Sequence, residues 1–317
     1  MYKDKLQEGI ERIYQDLVKN KNLTNFDLLN ICRNTGTGDH SDLMETNLPH
    51  ELLEVAVNKL ISKTFSKSDL QNTNEIKKIL TELKHLEKQL PVKSWRTREQ
   101  NLFQQFSTPP PVAFLMARLL NAGKGELVLE PSAGTGALAV WLKIFGCRQH
   151  VNELSATRRK LLEIQRFEPT AYNAEFIDDL LPVRITPDAV LMNPPFSSTA
   201  GRTRGNDSEF GFRHVNSSLS RLNLGGRMVV LLGTKSGVKS QKAQKFWSQI
   251  AAANELKGFI HLPGNAFYKY GTTIAASIVC ITKGKPPQGV SWKEEKSRIQ
   301  TVSCRTIEDC LEYINIF

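Results

Sequence analysis

The residues best equipped for chemistry are Asn193-Pro194-Pro195-Phe196. They follow the apolar run Asp188-Ala189-Val190-Leu191-Met192, which reads as a buried strand ending at a turn. Two prolines at that point fix the backbone and stop the strand ladder. The result is a stiff unit holding an amide side chain, the Pro194 carbonyl and an aromatic ring. Asn193 Oδ1 and the Pro194 carbonyl can accept the two N–H bonds of an exocyclic amine while Phe196 stacks on the attached ring. Such a unit suits a planar amine such as adenine.

A second constellation lies upstream. Leu127-Val128-Leu129-Glu130-Pro131-Ser132-Ala133-Gly134-Thr135-Gly136 reads as a strand, a tight glycine turn and the entry to a helix. Glycines in such a turn let backbone approach a ligand closely. The turn alone fits a dinucleotide site too, but Glu130 at the strand tip would repel a pyrophosphate and attract an ammonium. S-adenosylmethionine, which carries an ammonium and a sulfonium, matches better than NAD. Ser132, Gly134 and Gly136 belong to the same predicted cofactor turn. Glu153, about twenty residues on at the end of the next predicted strand, is placed to accept from two ribose hydroxyls. Glu175 is expected to accept from the cofactor's adenine amine and Phe176 to flank that ring, with Asp178 as an alternative acceptor. Phe106, Thr108 and Pro109 precede the glycine turn, where a hydroxyl and the start of the helix after Pro111 make a natural carboxylate site.

These residues need strand tips brought side by side. Strands are predicted over 126–130, 148–153, 188–192, 227–232, 256–261 and 273–282, with helices over 112–120, 137–145, 155–166 and 214–222 between them. Strands alternating with helices imply a doubly wound, mostly parallel sheet. The last two strands are spaced for an antiparallel edge. Residues 5–18, 49–62 and 74–90 have helical periodicity. The Gly/Asn/Thr-rich stretch 34–39 reads as a loop, since no phosphate-loop lysine is in register. The expected organisation is a helical N-terminal region (1–95), a catalytic domain (96–285) and a short C-terminal extension (286–317) with a strand candidate and a helix over 306–314.

The chain has 317 residues and a net charge of +10, with a pI near 9.3, which favours a polyanionic partner. Five scattered cysteines without a Cys-x-x-Cys pair suggest neither a disulfide framework nor a zinc site, and no metal is expected. No apolar run spans a membrane and no signal core opens the chain, so a reducing, cytoplasmic setting is expected.

Taken in order, Phe106-Ser107-Thr108-Pro109-Pro110, Glu130 to Gly136, Glu153, Glu175-Phe176 and Asn193-Pro194-Pro195-Phe196 resemble the γ-class N6-adenine DNA methyltransferases. The likeness covers roughly residues 100–283 and is nearest the N-6 DNA methylase group that includes type I modification subunits and phage and plasmid enzymes. It implies a Rossmann-like S-adenosylmethionine-dependent methyltransferase sheet. It also implies methyl transfer to adenine N6 in DNA, with the target base flipped into a pocket formed by Asn193, Pro194, Pro195 and Phe196. The family motif after the third strand usually reads Asp-Phe, where this chain has Glu175-Phe176. Family members that read their own sequence usually carry a long further region, often C-terminal, and only 33 residues follow Gly284. Site choice is therefore expected to come from the N-terminal helices or from a separate specificity, helicase or restriction subunit, or to be nearly absent. Arg202, Arg204 and Arg213, just past the acceptor motif, are expected phosphate contacts, as is Lys269 among the aromatics of 264–271. RNA adenine or protein glutamine as acceptor, or a non-catalytic DNA-binding subunit of a modification complex, are the alternative readings.

Overall fold

In the computed structural model, a seven-stranded sheet lies between layers of helices. The structure describes residues 2–38, 47–70, 73–93, 106–195, 210–233, 241–284 and 291–314. The strands are β1 (Leu127–Glu130), β2 (Arg148–Val151), β3 (Ala189–Met192), β4 (Arg227–Gly233), β5 (Glu255–His261), β6 (Ala276–Thr282) and β7 (Gln300–Ser303). Their order is β2-β1-β3-β4-β6-β5-β7. All neighbours pair in parallel except β6, which runs antiparallel to both β4 and β5. The mixed α/β fold with an antiparallel flank is thus the one expected, and β7, from the C-terminal region, adds a further parallel strand outside β5.

The central strands are apolar on both faces because helices cover both. Ala189 and Leu191 of β3 belong to one core, Val190 and Met192 to the other, which is the two-residue alternation of a strand. One core faces α9 (Phe210–Arg221) and α10 (Gln241–Ala253). There Trp247 is fully buried and meets Phe259 of β5 edge-on at 5.1 Å. The other core takes in α5 (Pro110–Leu120) and α6 (Ala139–Phe145), and continues into the N-terminal helices.

Those helices are α1 (Tyr2–Val18), α2 (Asn25–Asn34), α3 (Leu48–Thr64) and α4 (Thr73–Gln89). Leu6, Ile13, Leu52, Leu80 and Leu83 share a core with Phe114, Trp141 and Val128. Phe65, just past α3, stacks on Trp141 at 5.7 Å, and Phe114 covers the same indole at 4.9 Å. Helix α2 falls where no helix is predicted; Thr24 and Asp27 form a capping box at its start. Helix α10 and the short α11 (Trp292–Arg298) are likewise unpredicted. The helix expected over 306–314 is a 3-10 segment, Asp309–Tyr313, because Asp309 takes up the Arg305 and Thr306 N–H groups in a turn ahead of it.

Candidate active site

Strand order reverses around β1, with β2 on one side and β3 on the other. The carboxyl ends of parallel strands open a crevice at such a point. Here they deliver Glu130 (β1), Glu153 (after β2) and Asn193 (after β3) to one cavity of about 350 Å³. Phe106, Thr108, Ser132, Gly134, Pro194 and Pro195 line it as well. Sequence-distant motifs therefore meet as their spacing implies.

Asn193 is oriented by its surroundings. Its Nδ2 donates to the Phe106 carbonyl (3.0 Å) and to Thr108 Oγ1 (2.9 Å). The reverse amide orientation would set two carbonyl oxygens against each other, so Phe106 fixes the amide. Oδ1 is left as the acceptor of this side chain. The segment expected to serve the cofactor thus also steers the acceptor motif. Phe196 lies outside the described residues, as do Arg202 and Arg204.

The glycine turn is held at several points. Gly134, at φ +58°, donates its N–H to Glu153 Oε2 (2.7 Å), and Ser155 donates its own to Glu153 Oε1 (2.8 Å). Glu153 is only 7% exposed. Each of its oxygens keeps lone-pair capacity for a further donor. Ser155 is the residue before α7 (Ala156–Ile164), but its side chain makes no capping bond; Glu153 satisfies its backbone instead. Gly136, at φ +92°, backs onto α7, where a Cβ would sit 3.0 Å from Leu162. It shapes the turn and does not line the cavity, and Pro109 caps α5 without lining it either.

Glu130 is 1% exposed and its Oε2 has no hydrogen-bond partner among the described residues. Burial, and then the nearby charge of Glu153, raise its carboxyl well above the ordinary range. An unsatisfied carboxylate lining a cavity is costly unless a donor arrives to complete it. A cationic group with N–H donors fits that atom. Other charges lie nearby: Glu51 and Glu54 act on both Lys93 and Arg158, Glu153 acts on Arg158, and Glu130 feels Glu153.

Other placements depart from expectation. Glu175 and Phe176 form a 3-10 turn with Ala174, and of these only Ala174 lines the cavity. Glu175 Oε1 instead accepts from Arg213 Nη2 at 3.1 Å, and Phe176 is half exposed. Asp178, in the single-turn helix α8 (Ile177–Leu180), accepts from Ser217 Oγ at 2.6 Å. Arg213 is thereby tied to Glu175. Lys269 Nζ donates to the Leu90 carbonyl at 2.6 Å, which docks the 264–271 segment on the N-terminal layer.

Residues that the motifs do not announce also line the cavity, among them Leu154, Arg158, Tyr172, Asn173 and His214. Leu154 is 62% exposed, and a large exposed apolar side chain at a cavity is informative. Burial, with Arg213 beside it, lowers His214 to about 4, so its ring is neutral near pH 7. Position after Glu153 could have signalled Leu154; nothing local marks His214. Among the described residues no group of three or more His, Cys, Asp or Glu is placed to hold a metal ion. The five cysteines are free thiols. Among the described residues no helix is long and apolar enough to cross a membrane.

Sheet order, glycine turn and acidic strand tips define the fold of S-adenosylmethionine-dependent methyltransferases. Within it, residues 166–307 match the model of the family described as N-6 DNA Methylase. The match includes Asn193-Pro194-Pro195 and begins beyond the glycine turn. Among solved structures, the chain is similar to a type I restriction-modification system methyltransferase subunit from Streptococcus thermophilus (15% identity, 99% of this chain and 86% of that one, TM-score 0.52). A modification subunit assigned to a type I restriction enzyme of Vibrio vulnificus YJ016 is also similar (15% identity, 84% and 65%, TM-score 0.51). So is a protein from Listeria monocytogenes assigned as a class I S-adenosylmethionine-dependent methyltransferase (15% identity, 99% and 98%, TM-score 0.50). At these identities the likeness is one of fold. The chain spans 65% of the length of the Vibrio vulnificus subunit. No curated protein matches the chain.

Proposed function

We propose that this chain methylates adenine N6 in DNA, using S-adenosylmethionine. The observation that carries the reading is the fixed amide of Asn193, whose Oδ1 is left as an acceptor, with Asn193 and Pro194 lining the same cavity as Glu130, whose Oε2 has no hydrogen-bond partner among the described residues. S-adenosylmethionine, when bound, supplies a methyl group on a sulfonium, an already activated leaving group.

Glu130 would take the ammonium of this cofactor, and Glu153 its ribose hydroxyls. Thr108 Oγ1 accepts from Asn193, so its own proton is available to a carboxylate. Leu154 offers an apolar face to the cofactor's ring. Asn193 Oδ1 and the Pro194 carbonyl would accept both N–H bonds of the target amine and draw electron density onto its nitrogen. Phe196 would stack on the flipped base. No tuned general base is required, because the amine proton can leave after its nitrogen has reacted; positioning and matched dipoles account for the rate. Arg202, Arg204 and Arg213 would meet DNA phosphates, Arg213 after exchanging its partner Glu175.

A separate DNA-reading subunit is proposed as partner. The packing of α3 behind the glycine turn, and of α1 into the same core, supports this, because it gives those helices another task. The test is methyl transfer from labelled S-adenosylmethionine to unmodified DNA, RNA and protein. N6-methyldeoxyadenosine is expected, with Asn193→Ala inactive and still able to bind S-adenosylhomocysteine. Label in RNA or protein alone overturns the choice of acceptor, and equal loss of binding and transfer in Asn193→Ala shows the residue to be structural.

A further inference from the structure

Helix α3 belongs to the N-terminal layer, outside every motif of the cofactor site. It nevertheless carries three polar residues, Glu51, Glu54 and Asn58, spaced by three and four positions on one face. Their neighbours Leu52, Leu53, Val55, Ala56 and Val57 are buried in the core. Polar groups in such a helix need a reason.

Each of the three bonds to the cofactor side of the cavity. Glu54 Oε2 accepts from Thr135 Oγ1 at 2.8 Å. Asn58 Nδ2 donates to the Thr135 carbonyl at 2.9 Å, and Gln165 Nε2 donates to the same oxygen at 2.8 Å. Glu51 Oε1 accepts from Arg158 Nε at 2.8 Å. Thr135 stands between Gly134 and Gly136, both in left-handed conformations, and is 4% exposed. Two glycines leave the turn little stiffness of its own. Its shape comes from what grips it, and α3 grips both its hydroxyl and its carbonyl.

We propose that α3 is part of the cofactor site, with Glu54 and Asn58 as positioning residues for the glycine turn through Thr135. Glu51 does the same for Arg158 at the cavity wall. The helix contacts no cofactor atom in this account. It sets the turn in the shape that places the Gly134 N–H on Glu153, and hence Glu153 toward its ligand. This rests on the cavity being the S-adenosylmethionine site, and it assigns to the N-terminal layer a role in cofactor affinity.

The test is calorimetric titration of the full chain with S-adenosylhomocysteine, with Tm measured for each variant. Thr135→Val removes one hydroxyl at nearly constant shape, and Glu54→Leu removes its partner. Each is expected to weaken binding roughly tenfold or more, the scale of a hydrogen bond to a charged group. The double variant should lose no more than the worse single one, since both delete the same bond. Thr135→Ser restores the hydroxyl and should recover most of the affinity. Full affinity in folded Thr135→Val and Glu54→Leu overturns the proposal, as does equal loss in Thr135→Ser and Thr135→Val, or additive losses in the double variant. Failure of the unsubstituted chain to bind S-adenosylhomocysteine would overturn the cofactor reading itself, a result distinct from normal binding by every variant.

Discussion

Glu130 occupies a position that a carboxylate leaves unless something repays the burial. It is enclosed, one oxygen has no donor, and its proton is held more tightly than in the unfolded chain. A raised carboxyl in the folded state contributes its stability below the ordinary range near 4.5 and loses it as pH rises through the raised value. Glu130→Gln should therefore be more stable than the parent at neutral pH, by about 1–3 kcal/mol, with the advantage vanishing in acid. It should bind S-adenosylhomocysteine poorly at the same time. Thermal melts across pH together with a binding isotherm check both; a less stable variant would mean that Glu130 serves the fold. At the residue scale, what was legible in advance was placement. Glu130, Glu153 and Asn193 stand at strand tips, where type and register decide the role. The Thr108–Asn193 bond was not, because two segments 85 positions apart share no local pattern.

At the scale of elements, the N-terminal helices change meaning. Their periodicity alone fits a separate DNA-reading unit. Their apolar faces instead close the core that holds Phe114, Trp141 and Leu142. Deleting residues 1–90 should thus leave an unfolded or insoluble chain, read by circular dichroism and melting; a folded remnant with altered DNA choice would contradict this. The C-terminal segment behaves alike. It adds β7 beside β5, and Cys304 and Cys310 pack into the main core. Ending the chain at residue 290 should expose the β5 edge and promote aggregation, measurable by light scattering. Helix α10 shows how a legible element is overlooked. Ala243, Phe246, Trp247, Ile250 and Ala251 recur at helical spacing and are buried, whereas 233–255 carries no predicted element. Strand β7 falls in the region where a strand candidate is expected, but its place is not legible: only four residues long and mostly exposed, it gains its pairing from β5.

For the molecule as a whole, two buried histidines contribute to stability against acid. Burial, with Lys93 beside it, lowers His50 to about 3, and His214 is lowered to about 4. Both are neutral when folded near pH 7 and can charge on unfolding, so the stability they contribute is present above 6.5 and is lost as pH falls from there toward about 4 for His214 and about 3 for His50. A plot of Tm against pH should fall through that window, and His50→Gln should flatten part of the slope; an unchanged slope would contradict the assignment. The net charge of +10 agrees with a polyanionic partner, yet charge alone misleads about position, since Lys269 is spent on the Leu90 carbonyl. Asn193 is proposed to present adenine N6 for methylation. The most direct test of that role is mapping of modified bases in DNA from cells producing the full chain, beside cells producing Asn193→Ala. N6-methyladenine gained with the unsubstituted chain and absent with the variant is the predicted result; the same N6-methyladenine in both would contradict it.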